Sequence, residues 1–225
     1  MAGRQTDEAG LEPDAAVSTE IDHTAEARAV HLDVFGMLHE GDETILLLGP
    51  HEPGFWAAYT NTSEACDGAA DPIDRWSKRV IGALAQRWGG VAEFPSDGPP
   101  YPPFLAWARA SNRAWDSPVG MLVHDTAGLW VSYRGAIRLP YVLDLPDTGA
   151  NPCLTCDAPC LTACPVDALG SSGYDVPACK THLNSEDRAS CMTQGCAVRR
   201  TCPVSRTYGR LPEQSAFHMK AFNPT

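Results

Sequence analysis

Residues 153–165 read CLTCDAPCLTACP, and the rest of the chain is understood from this stretch. Cys153, Cys156, Cys160 and Cys164 fall close together, and Pro165 follows the last of them. A second group, Cys179, Cys191, Cys196 and Cys202, is likewise closed by a proline, Pro203. Thiols this dense, with little apolar sequence between them, make a metal site before they make a core. A [4Fe–4S] cube takes four thiolates, one on each iron. A tight loop can supply three of them, and the fourth must arrive from elsewhere. In two-cluster ferredoxins the usual run is C-x2-C-x2-C-x3-C-P, and the cysteine before the proline ligates the other cluster. The first group here is C-x2-C-x3-C-x3-C-P, one residue longer before its third cysteine. The second is C-x11-C-x4-C-x5-C-P, considerably looser. Two four-thiolate zinc sites are the alternative use of eight cysteines, but zinc favours paired C-x2-C knuckles, and only Cys153 with Cys156 forms one.

The composition suits this reading. The chain has 225 residues, enough for one large domain or two small ones, and 44% of them are apolar. Nine cysteines cannot all pair with one another. Residues 1–24 are acidic and rich in small side chains, without a basic start followed by an apolar run, so no secretory signal is expected and the segment is expected to be disordered. No stretch approaches the ~20 apolar residues of a membrane span. These observations predict a cytoplasmic protein, where thiols stay reduced and bind metal rather than forming disulfides. The net charge is −11. Residues 151–225 hold seven Lys/Arg and six Asp/Glu, a balance of +1, which leaves −12 on residues 1–150. So acidic a surface argues against nucleic acid as a partner. It serves solubility, or docks a basic redox partner.

The expected architecture is α+β. An α+β domain over residues 25–146 precedes a small ferredoxin-like domain with two interlocked cluster motifs over 147–210, and a tail at 211–225 packs back on the first domain. The boundary is the turn-rich DTGANP at 147–152. All six tryptophans precede it, so the large core belongs to the first domain, and the cysteine segment needs its cofactor as core. Ala25, Ala29, Leu32 and Phe35 keep helical spacing, which predicts a helix over residues 25–39, although Val30, Val34 and Leu38 blur it. The run TILLLG at 44–49 predicts a buried strand, and 54–59 a short helix. Residues 71–88 predict the clearest helix, with Asp71 as cap, Pro72 in the first turn, Gly89 and Gly90 as stop, and Ile73, Trp76, Val80, Ile81, Leu84 and Trp88 on one face. A second strand is expected at 91–94 and another helix at 104–110. A hairpin is expected between 120–124 and 129–134, turning through DTAG at 125–128.

At the two Cys-Pro groups the chain resembles a bacterial two-cluster ferredoxin domain, of the type at the C-terminal side of epoxyqueuosine reductase and related corrinoid-dependent reductases. In that family the second motif also opens with a lone cysteine and an insert. Here CKTHLNSE from Cys179 resembles that opening, and Gly195-Cys196 with Cys202-Pro203 resembles its end. The stretch 119–131 is similar to the strand pair that leads into the family's ferredoxin domain. The resemblance covers roughly residues 115–205 and does not extend to the reductase's corrinoid-binding or catalytic region. It implies Cys153, Cys156, Cys160 and Cys202 as ligands of one [4Fe–4S] cluster, and Cys164, Cys179, Cys191 and Cys196 as ligands of a second.

Other residues carry less. The seven histidines show no HExxH pairing, and His124, beside the expected turn, is the one read as a flavin- or partner-facing group. Cys66 stands alone and reads as a free thiol. Arg199 and Arg200 are either a solvated pair or a counter-charge to a cluster. Neither GxGxxG nor GxxxxGK[ST] occurs. The function expected is single-electron transfer through two [4Fe–4S] clusters, to or from a protein partner. The alternatives are a reductase of the epoxyqueuosine-reductase type, with a corrinoid or flavin on the first domain, and a zinc-stabilised interaction module.

Overall fold

The computed structural model describes residues 21–224. The disorder expected of residues 1–24 therefore falls, for 1–20, outside the described residues. Helix α1 (His23–Ala29) starts directly after Asp22, whose carboxylate accepts a hydrogen bond from the Ala25 N–H at 2.9 Å. The helix expected over 25–39 ends early. His31 takes a left-handed conformation, φ 61°, and the chain reverses into strand β1 (Leu32–Glu40). Strand β1 pairs antiparallel with β2 (Glu43–Pro50), from Leu32 opposite Pro50 to Glu40 opposite Glu43. The residues that blurred the helical spacing, Val34 and Leu38, are strand positions.

Strand β2 contains the TILLLG run, and its neighbours explain why it reads as unbroken apolar sequence. Leu46 and Leu48 pack with Phe55, Tyr59, Trp76, Ile81 and Leu84 on one side of the sheet. Ile45 and Leu47 pack with Phe104, Trp107 and Ala108 on the other. A strand covered on both faces has no solvent side to alternate toward.

Helices α2 (Gly54–Thr60), α3 (Ser63–Cys66) and α4 (Pro72–Trp88) follow. Asp71 stands at the N-cap of α4 with φ 50°, but its side chain makes no capping bond. Its carbonyl accepts from Asp74 and Arg75 instead. Gly89 closes α4 in the left-handed region, φ 70°. Strand β3 (Val91–Glu93), helix α5 (Phe104–Ala110), the strands β4 (Ala114–Asp116) and β5 (Leu122–His124), and β6 (Gly135–Leu139) complete this part. The main sheet is antiparallel, in the order β1-β2-β6-β3. With α4 on one face and α5 on the other, the fold is mixed α/β around a small antiparallel sheet.

The hairpin expected between 120–124 and 129–134 does not form. Strand β5 pairs with β4 instead, with Trp115 opposite Val123, and residues 129–134 hold no strand. The loop at 125–128 is pinned by a buried histidine. His124 Nδ1 accepts from the N–H of Thr126 and of Ala127, at 3.1 and 3.2 Å, so the ring proton resides on Nε2, which donates to the Phe35 carbonyl at 2.7 Å. His124 is wholly buried and stacks on Phe35. Its expected role as a flavin- or partner-facing group is thus replaced by a structural one.

Burial pushes the His124 pKa down, against the opposing pull of Asp125. The native state then binds fewer protons here than the unfolded chain, so stability rises with pH and is lost as pH falls through ~6.5, where the unfolded imidazole charges. Urea unfolding at pH 7.5 and pH 5.5 is expected to show lower stability at the lower value. That difference should be smaller in His124→Gln.

The cysteine-bearing part is built from short pieces. A 3-10 turn (Pro159–Thr162) leads to a two-residue-strand hairpin, β7 (Leu169–Gly170) with β8 (Gly173–Tyr174). Helices α6 (Val176–Leu183) and α7 (Ala189–Gln194) carry Cys179 and Cys191, and Cys196 and Cys202 flank α8 (Ala197–Thr201), with α9 (Pro203–Thr207) following. Helix α10 (Pro212–Phe222) returns over both parts. Phe217 meets Trp56 and Tyr59 with ring centroids 5.4 and 6.2 Å apart, while Phe222 stacks on Tyr174 at 6.4 Å. A separate core of Val119, Val123, Leu129, Leu169 and Val198 joins the β4–β5 hairpin to Cys160 and Cys202.

Candidate metal centre

The cysteines gather in two sets of four, and membership crosses between the two sequence groups. Cys153, Cys156, Cys160 and Cys202 surround one small cavity walled by Pro118, Val123 and Leu129. Cys164, Cys179, Cys191 and Cys196 line another, beside Leu183 and Val198. Local structure explains the crossing. Pro165 follows Cys164, and Asp167 turns the chain through a left-handed residue, φ 51°, so Cys164 is carried away from the loop that holds the three cysteines before it. At the other end, Cys202 joins α8 to α9 in an extended conformation, φ −60° and ψ 126°, with Pro203 opening α9. That bend leaves Cys202 facing the first set rather than Cys196.

The electrostatics follow the same division. Burial pushes the thiols of Cys153 and Cys160 up, with Cys156 and Cys202 adding to the effect. Burial also pushes Cys179 and Cys191 up, and there the reinforcing neighbours are Cys196 and Cys164. Thiols raised by burial and by one another do not ionise unaided; a shared cationic centre is what makes them thiolates. Neither cavity has an Asp or Glu in its lining. The first cavity has mostly apolar walls, the second also carries Arg199, Arg210, His182 and His218, and four cysteines in each supply the donor set of a cubane cluster. Among the described residues, no group of three or more His, Cys, Asp or Glu is placed so as to hold a metal ion as it stands.

Backbone donors reach the sulfurs. The Ala168 N–H donates to Cys164 Sγ at 3.2 Å, and the Ala197 amide acts on Cys191 against the effect of burial. Such N–H···S contacts stabilise negative charge on sulfur and would tune the potential of a bound cluster.

The loop after His124 is gripped from the cysteine-bearing side. Leu129 N–H donates to Ser205 Oγ at 2.8 Å, and Arg199 Nη1 donates to the Leu129 carbonyl at 2.6 Å. A Cβ on Gly128 (φ +57°) would lie 2.4 Å from the Ser205 backbone nitrogen, so only glycine permits this approach. Arg199 is therefore no solvated surface group; Cys196 is the thiol acting on it. Arg200 instead braces the turn before Cys196, donating to Gly195 O, Gln194 Oε1 and Ser190 Oγ at 3.1, 3.1 and 2.6 Å. Cys66 is exposed and lines neither cavity; it is a free thiol directed at the Thr60 carbonyl.

Arg210 and His218 also line the second cavity, and sequence reasoning passed over both as site residues. Arg210 falls at the end of the expected ferredoxin-like domain and His218 in the expected tail, and nothing local signals that the return of the chain through α10 sets both against cysteines on α6 and α7. No protein-family model, curated protein or solved structure is significantly similar to this chain.

Proposed function

We propose that this protein is an iron–sulfur electron carrier that holds two [4Fe–4S] clusters and exchanges single electrons with a protein partner. The observation that carries the reading is the division of eight cysteines into two crossed sets of four, each lining its own cavity. Cys153, Cys156, Cys160 and Cys202 would hold one cluster, and Cys164, Cys179, Cys191 and Cys196 the other. When bound, each cluster supplies a one-electron couple. The chain contributes burial, N–H···S donors and Arg199 as a nearby positive charge. Val198, buried between the sets, belongs to the same core as Cys160 and Cys202 and also lines the second cavity, so both sets share one compact wall. On the solvent side, Leu154 is 80% exposed between Cys153 and Cys156, and Leu161 is exposed beside Cys160. A small apolar rim of this kind suits the brief contacts of electron-transfer partners.

Anaerobic purification followed by iron and sulfide analysis tests the proposal. About eight irons per chain are expected, with an EPR signal from interacting clusters after reduction. Zinc in place of iron would sink the reading.

A further inference from the structure

We propose that the cavity between the second cysteine set and α10 is a binding site for a small organic acid, with its carboxylate on Arg210 and its apolar body against Trp130 and Phe222. The inference rests on reading the second set as a cluster site, and it adds a ligand to that site.

The two cysteine sets are each other's control. Both present four sulfurs, and both would take the same cube. Yet the cavity at the first set measures about 20 Å³ and that at the second about 350 Å³. The second cavity reaches past its cysteines to Trp130, Arg210, His218, Met219 and Phe222, an extension the first does not have. The cluster that the set would hold shares this space, and a cavity of ~150 Å³ is enough for benzene.

Its lining has the composition of a small-molecule site: mostly apolar side chains with a few converging polar groups. Met219 and Phe222 come from α10, and Trp130 from the loop after Gly128. The charged groups in the lining are all basic. Arg199 is committed to the Leu129 carbonyl. Arg210 is not committed in this way. Its guanidinium lies 5.4 Å from the Trp130 ring centroid, and it donates from Nε to Ser215 Oγ at 3.3 Å, which leaves both Nη groups without a protein acceptor among the described residues. The carboxylate that acts on Arg210 is Glu52, which is not in the cavity lining and whose own carboxyl burial pushes toward the neutral form. His218 is pushed down to about 3 by burial and by Arg210, Arg134 and Arg199, so it enters as a neutral hydrogen-bonding group. A planar guanidinium with free donors matches a carboxylate in two-point fashion.

The test is titration calorimetry on anaerobically purified protein, using benzoate and 2-naphthoate as acids and benzamide and 2-naphthamide as uncharged counterparts. Saturable binding of one acid per chain is expected, at least tenfold tighter than its amide. Arg210→Gln should bring the acid to the level of the amide, while Arg206→Gln, exposed one turn away, should leave binding unchanged. Absence of saturable binding by either acid, or equal binding of acid and amide by the unaltered protein, overturns the proposal without reliance on any variant. Iron content of the same sample separates the two readings. Protein with about eight irons and no acid binding defeats the pocket alone. Protein that binds the acid but holds no iron defeats the cluster assignment.

Discussion

Cys202→Ser, purified anaerobically, is expected to keep about four of about eight irons and to retain the second cluster while losing the first. The direction is not the one that sequence proximity suggests. Cys202 follows Cys196 by one short helix, α8, and a reading by neighbourhood would assign both to the same metal centre. The structure places Cys202 instead in the cavity of Cys153, Cys156 and Cys160. Serine offers iron a hard, weakly acidic oxygen where the site is built for a soft thiolate. It also puts a hydroxyl into a wall of Val123, Leu129 and Pro118, and an unpaired buried hydroxyl costs about 1–3 kcal/mol. Cys164→Ser is the mirror experiment, expected to spare the first cluster and remove the second. The EPR spectra of the two reduced variants, each from one isolated cluster, should lack the coupling between clusters expected of the unaltered protein. If Cys202→Ser removes the second cluster and spares the first, the crossed assignment is wrong.

The second large effect is expected at Gly195, which immediately precedes Cys196. Its φ of 85° and ψ of 176° lie in a region that side-chain-bearing residues avoid. A Cβ there would stand 2.8 Å from Ser215 Cβ and 2.8 Å from Trp130 Cη2. Gly195→Ala must therefore bend the backbone that presents Cys196, lift α10 from α7, or displace Trp130. Backbone strain and overpacking together put the cost at roughly 2–6 kcal/mol. The expected outcome is loss of the second cluster's iron, with the first cluster kept and a lowered midpoint in thermal unfolding. Gly170→Ala is the control: a Cβ there meets nothing within 4 Å, and iron content should not change. Full iron retention in Gly195→Ala would show that this turn does not set the position of Cys196.

The parts of the molecule that the sequence makes legible are those whose cause is local. Helix α4 is one: Pro72 in its first turn, Gly89 at its end and an apolar face between them are all written within the segment. The CLTCDAPCLTACP run is another, because ligand spacing in a tight loop is a local property. The errors occur where a distant partner decides. Residues 32–40 could satisfy a helical pattern as well as a strand pattern, and the choice was made by β2 and by the turn at His31. Strand β5 found β4 rather than the segment after the DTAG loop, because His124, bonded to Phe35, already occupied the loop's amides. The second cavity was invisible for the same reason. Arg210, His218 and Phe222 carry no motif, and they become neighbours of Cys179 and Cys191 through the return of α10.

Leu129 lies well before the DTGANP turn, yet both its amide hydrogen and its carbonyl are held by side chains from beyond that turn, Ser205 and Arg199. Hydrogen exchange would therefore find the seam of the molecule somewhere other than where composition puts it. The Leu129 amide should exchange when the cysteine-bearing part opens, not when the main sheet does, since its protection comes from Ser205. Stripping the metal would deprotect that amide while amides of the β1–β2 pair kept theirs. In cooperative terms the loop at Gly128 and Leu129 is expected to open with the cysteines, although it precedes β6 of the main sheet and the turn at 147–152.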